Sequence, residues 1–130
     1  VNEAVLRAVH RYLNNNNIRI LNTDFEEAMK GMRKEAFVYF DPPYFPISDS
    51  SNFTGYTLDG FDKQDQVRLK KLCDKLDSRN CRFLLSNSGA EFIQNLYSDY
   101  KVEVVKAKRS INSNAAKRGE IEEILVRNYG

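Results

Sequence analysis

Apolar residues recur along the chain at two spacings. Val5, Ala8, Val9 and Tyr12 follow helical spacing and predict a helix over residues 3–12. Four asparagines, Asn14 to Asn17, break it. Ile18, Arg19, Ile20 and Leu21 then read as a strand, and Asp24 or Thr23 caps a helix from Phe25 to about Met32. Phe37, Val38, Tyr39 and Phe40 form a short run of β-branched and aromatic residues, the pattern of a buried strand over residues 36–40. It stops on Asp41, Pro42, Pro43 and Tyr44. Prolines have no N–H to give a sheet ladder and cannot continue a central strand. Asp41 is therefore predicted at the carboxyl end of a strand, where open α/β sheets keep their ligand crevice.

Residues 42–61 form a long loop rich in Ser, Asn, Thr, Gly and aromatics, a length that in compact domains is functional or disordered. Asp62 caps a helix over residues 63–76, with Val67, Leu69, Leu72, Cys73 and Leu76 as its apolar stripe. A strand follows over residues 81–86, ending in Asn87, Ser88 and Gly89, then a short helix over residues 90–97. Residues 102–105 read as a strand, residues 111–119 as a polar loop, and residues 120–128 as a last strand or a short helix. Alternation of this kind predicts an α/β layered domain with a mainly parallel sheet. The final two strands follow each other without a helix and are expected to pair antiparallel.

A chain of 130 residues holds one domain, or part of one. It opens on Val1 rather than a methionine, in mid-pattern, which reads as a fragment. No apolar run approaches membrane length and no signal peptide opens the chain. Cys73 and Cys81 lack metal-ligand spacing and read as reduced thiols of a cytosolic protein. His10 is the sole histidine, so no histidine triad or multi-histidine metal site forms within the chain, and no metal is expected. The net charge of +2 is too small to argue a nucleic-acid partner. Its distribution says more: residues 106–118 hold Lys106, Lys108, Arg109, Lys117 and Arg118 and no acid.

The chemistry gathers at the strand end. Asp41 offers a carboxylate acceptor, and Pro42 a carbonyl whose direction is set by two locked φ angles. Two rigid acceptors suit a nitrogen carrying two hydrogens, and Tyr44 adds a flat apolar face. Together they describe a planar aromatic amine. Its lone pair is delocalised into the ring, so it is a poor nucleophile. Hydrogen bonds accepted from its N–H groups localise the lone pair, and they strengthen as charge develops on nitrogen. A base inside a duplex cannot reach such a crevice without being flipped out.

Asp41-Pro42-Pro43-Tyr44 resembles the catalytic motif of S-adenosylmethionine-dependent DNA amino-methyltransferases. Further stretches are similar to one branch, the Dam-like and DpnII-type DNA N6-adenine methyltransferases (D12 class). They are Phe45 to Ser48, Asn52 to Tyr56, Gly60-Phe61 with Asp65-Gln66, Leu84 to Asn87, and Arg109 to Asn114 with Arg118. The resemblance implies part of a Rossmann-like class I methyltransferase domain. It gives catalytic roles to Asp41, Pro42 and Tyr44. It implies cofactor contacts for Asp24 and Phe25, and places Asp41 near the methionine portion of the cofactor. Asp24 is equally a helix cap. Phe53 and Tyr56 either touch a flipped base or pack their own loop. Phosphate contacts are implied for Arg109, Ser110, Asn112, Asn114 and Arg118. Lysines of residues 63–75 read as a solvated face.

In this family the glycine-rich cofactor turn and the target-recognition region precede the catalytic motif. None of the six glycines here forms a GxG, so the S-adenosylmethionine pocket is expected to be incomplete. Residues 1–15 would be the tail of the target-recognition region and residues 16–130 the C-terminal part of the catalytic domain. The expected partners are double-stranded DNA, methylated at a GATC-type site, and the missing N-terminal half of the enzyme. No membrane partner is expected, and an exposed apolar sheet edge favours self-association. A bacterial or phage cytoplasm is the implied location. Two other readings stay open: an amino-methyltransferase acting on cytosine N4, RNA adenine or protein glutamine, and a non-catalytic DNA-binding remnant.

Overall fold

A computed structural model describes residues 1–47, 60–108 and 120–130. The chain divides into two units, Val1–Lys30 and Gly31–Gly130.

In the first unit, α1 spans Glu3–Asn15 and is capped by the Asn2 side chain, which accepts from the Val5 N–H. It carries an apolar face of Val5, Leu6, Val9, Tyr12 and Leu13, all exposed. The second helix, α2, is a single turn, Phe25–Ala28, shorter than its sequence predicts. Residues 18–21, predicted as a strand, are irregular. A strand is stable only when a neighbour takes up its backbone groups, and no strand among the described residues pairs with this one.

In the second unit, four strands make one sheet: β1 (Phe37–Phe40), β2 (Arg82–Ser88), β3 (Lys101–Lys108) and β4 (Glu120–Arg127). The spatial order is β1-β2-β4-β3. Between β1 and β2 runs α3, Lys63–Ser78, and between β2 and β3 runs α4, Glu91–Leu96. β1 pairs parallel with β2 through the α3 crossover. β4 pairs antiparallel with β2 on one side and with β3 on the other. The sheet is therefore mixed rather than mainly parallel. The predicted β3–β4 antiparallel pair is present; β4 also fills the place beside β2.

The first turn of α3 is closed by a capping box. Asp62 accepts from the Asp65 N–H at 2.9 Å, and the Asp65 carboxylate accepts from the Asp62 N–H at 3.1 Å. These hydrogen bonds, with the Arg68 guanidinium, hold the Asp65 carboxyl below the usual aspartate range. The buried stripe of α3 is Gln66, Leu69, Leu72, Cys73 and Leu76. It packs on the sheet face that carries Val38, Phe40, Phe83 and Leu85, joined by Ile93 and Tyr97 after β2. Phe83 meets Tyr100 edge-on, with ring centroids 4.9 Å apart. Phe37 and Tyr39, on the other face, are exposed, so β1 alternates as a strand covered on one side.

Two expectations follow from this packing. Gly89 follows β2, and its N–H donates to the Glu122 carbonyl at 3.0 Å. A Cβ there would stand 2.8 Å from the Glu122 Cβ and 3.3 Å from its carbonyl oxygen. Both neighbours are fixed close to the backbone, so Gly89→Ala is expected to cost about 1–3 kcal/mol, read as a lower urea midpoint. Burial also pushes the Cys73 thiol from its ordinary 9.0 up to about 12, and pushes the Tyr97 phenol up as well. The folded chain thus keeps protons that the unfolded chain releases above pH ~9. This contribution to stability should be full below pH ~9 and be lost as pH rises towards 12. Cys73→Ala should flatten that decline by at most about 1.4 kcal/mol per pH unit, measured by denaturation at a series of pH values.

Candidate active site at the end of strand β1

β1 ends at Phe40, and the chain leaves the sheet through Asp41, Pro42, Pro43, Tyr44 and Phe45. The placement follows from the prolines, as the sequence predicts. The turn is held by the neighbouring strand. Tyr39 is in register with Leu84 and Phe40 with Leu85, and the same register carried one step further sets Asp41 beside Ser86. The Ser86 hydroxyl donates to Asp41 Oδ1 at 2.9 Å. With that proton committed, the Tyr39 hydroxyl donates to Ser86 Oγ across 3.2 Å. The carboxylate is thereby oriented through one oxygen.

The next residue of β2 points the other way. Asn87 is fully buried, and its Oδ1 accepts from the Phe45 N–H at 3.0 Å and the Ser88 N–H at 2.8 Å. Its amide nitrogen donates to Gln66 Oε1 at 3.0 Å, and Gln66 Nε2 donates to the Pro43 carbonyl at 3.0 Å. Gln66 is 1 % exposed. Two buried carboxamides therefore tie two backbone groups of the turn to β2 and α3. The Phe45 ring packs on Phe92 of α4, with centroids 4.9 Å apart, and Lys63 Nζ lies 4.6 Å over the Phe92 ring.

Tyr44 lies in this turn and is 38 % exposed. Partial burial raises its phenol pKa. The nearby Ser86 hydroxyl opposes the rise, and the carboxylates of Glu123 and Asp41 add to it. Tyr44 thus stays a neutral phenol at physiological pH.

Asp41, Pro42 and Tyr44 are brought together as the sequence predicts. Asp24 lies in the other unit; its carboxylate caps α2, accepting from the Glu26 N–H at 3.0 Å, and Phe25 is the first residue of that helix. Phe53 and Tyr56 lie outside the described residues, as do Arg109, Ser110, Asn112, Asn114 and Arg118. Among the described residues no cluster of three or more His, Cys, Asp or Glu could hold a metal ion. No described helix is long and apolar enough to cross a membrane. Sequence reasoning assigned no role to Ser86, Asn87 or Gln66. The available signals were their place in the family-like stretches Asp65-Gln66 and Leu84 to Asn87 and polarity out of place: Gln66 falls on the apolar stripe of α3, and Asn87 on the buried face of β2.

The model of the D12 class N6 adenine-specific DNA methyltransferases matches residues 1–111. The chain is 43 % identical over 130 residues to the type II methyltransferase M1.LlaDCHI of Lactococcus lactis subsp. cremoris, covering 100 % of this chain and 46 % of that protein. It is 44 % identical over 115 residues to the type II methyltransferase M.MjaIII of Methanocaldococcus jannaschii, covering 87 % and 40 %. It is 34 % identical over 102 residues to the DNA adenine methylase of Escherichia coli K12, covering 78 % and 37 %. The chain thus spans less than half the length of the curated relatives it matches. On the extent of the family match, this chain belongs to the D12 class of N6 adenine-specific DNA methyltransferases.

Proposed function

We propose that a protein carrying this chain transfers a methyl group from S-adenosylmethionine to N6 of adenine in double-stranded DNA, at a GATC-type site, with the target base flipped out of the duplex. The observation that carries this reading is the Asp41 carboxylate at the end of β1, oriented by Ser86 beside two rigid prolines and the Tyr44 ring. Asp41 and the Pro42 carbonyl accept from the two N–H groups of the adenine amine. Tyr44 stacks on the base, returning about 1–3 kcal/mol against the cost of unstacking. The lone pair on N6, drawn out of the ring, would be directed at the methyl carbon, whose bond to the sulfonium sulfur would break with its electron pair leaving on sulfur as a neutral thioether, and the Asp41 carboxylate would take the proton that N6 sheds. S-adenosylmethionine supplies a methyl group activated by a sulfonium sulfur.

The residues present fit part of that cofactor. Asp24 offers a carboxylate and Phe25 an aromatic ring at the start of α2, the chemistry that an amino-purine needs. No GxG turn occurs among the 130 residues, so the remaining contacts come from elsewhere. Phosphate contacts by Arg109, Ser110, Asn112, Asn114 and Arg118, and base contacts by Phe53 and Tyr56, complete the reading. A Rossmann-like sheet, with β1 and β2 as two of its strands, is the frame that this site implies, and a type II restriction-modification setting agrees with the names of two relatives.

In the full-length protein, Asp41→Ala is expected to lower kcat for adenine methylation about 100- to 1000-fold while leaving DNA affinity within about threefold. An Asp41→Ala protein that still methylates at the native rate would sink the reading, as would mapping of the methyl group to cytosine, RNA or a protein amide. Tyr44→Ala should raise KM for DNA, whereas Tyr44→Phe should keep it near the native value; equal effects of the two would exclude stacking. The isolated 130 residues should transfer little methyl to duplex DNA, tested with labelled methyl donor; native-like turnover by them would overturn the need for further cofactor contacts.

A further inference from the structure

We propose that Gln66 and Asn87 act as a carboxamide clamp that sets the 41–45 turn, so that both are positioning residues for the reaction at Asp41; the inference rests on the function proposed above. The direction of each amide is determined by the network itself. Asn87 Oδ1 accepts two backbone N–H groups, so its nitrogen must face Gln66 Oε1, and the Gln66 nitrogen must then face the Pro43 carbonyl. The order Asn87 to Gln66 to Pro43 therefore has one consistent arrangement. It grips the turn at Pro43 and Phe45, on either side of Tyr44 and one residue beyond Pro42. Both amides are buried, so water cannot substitute for a lost partner.

The clamp explains a choice that packing alone does not. Gln66 occupies the apolar stripe of α3, where a leucine would fill the space without a polar group to satisfy. A glutamine there gains by accepting from the buried Asn87 amide and by holding the Pro43 carbonyl in one direction. Ser86 orients the carboxylate side chain, and the clamp orients the backbone from which Pro42 and Tyr44 project.

Gln66→Glu tests this. An ionised glutamate accepts from Asn87 but presents a second oxygen to the Pro43 carbonyl; a protonated one restores the donor. The expected result in the full-length protein is a kcat lowered about 10- to 100-fold at neutral pH, with KM for DNA changed less than about threefold. The rate should recover as pH falls through the titration of the new carboxyl, which burial raises. Native kcat should show no such recovery. Gln66→Met serves as the second variant, with the same loss at every pH and no recovery. Amide hydrogen exchange at Phe45 is followed alongside, and it should quicken in both variants. Unchanged exchange at Phe45, or unchanged kcat in folded variants, overturns the clamp. If the unsubstituted protein does not methylate adenine, the proposed function fails instead, and exchange at Phe45 alone then decides whether the clamp exists.

Discussion

Successive side chains of a strand point to opposite faces, and the rest of the site depends on how the end of β2 uses that rule. Ser86 and Asn87 are neighbours in the chain and serve opposite sides of the same turn. Ser86 faces the open side and meets the Asp41 carboxylate. Asn87 faces the covered side and meets the backbone that follows. One polar dipeptide therefore orients both the Asp41 carboxylate and the loop that carries Tyr44. A shift of register between β1 and β2 by one residue would exchange the two roles and leave both turn and carboxylate unheld.

Burial makes this arrangement rigid and also costly to break. Asn87 and Gln66 are as buried as the core side chains Leu69, Phe83 and Leu85. Each unsatisfied amide in such a place costs about 1–3 kcal/mol. The network has a partner for each amide, so the polar pair specifies a single geometry of the turn rather than weakening the core. Tyr44, by contrast, keeps an exposed ring, and the Asp41 carboxylate is held through one oxygen. Ser86, Asn87 and Gln66 are buried while Asp41 and Tyr44 are accessible, the division of burial that a preorganised site requires.

Much of this was legible in the residues. Asp41 at a strand end follows from Pro42 and Pro43, which cannot continue a ladder. The cap of α3 at Asp62 and the antiparallel β3–β4 pair were likewise readable, because both depend on short-range chemistry. The 18–21 segment was misread, since its apolar residues favour a strand but a strand needs a partner that pattern cannot supply. Ser86, Asn87 and Gln66 fall in the family-like stretches Leu84 to Asn87 and Asp65-Gln66 and stand out as polar residues near or within apolar patterns, but neither signal says what they hold.

What the sequence alone determined is the chemistry: a carboxylate, a fixed carbonyl and an aromatic ring at the point where a strand must end. That is local information, carried by covalent constraints on φ and by the missing N–H of proline. What only the tertiary structure decided is which distant residues hold those groups. The Gln66–Asn87 pair joins residues separated by 21 positions, and the Asn87–Phe45 bond joins residues 42 apart. The place of β4 between β2 and β3 is of the same kind. Such pairings come from the packing of α3 on the sheet and from strand register, which no local pattern encodes, because they exist only once the chain has closed on itself.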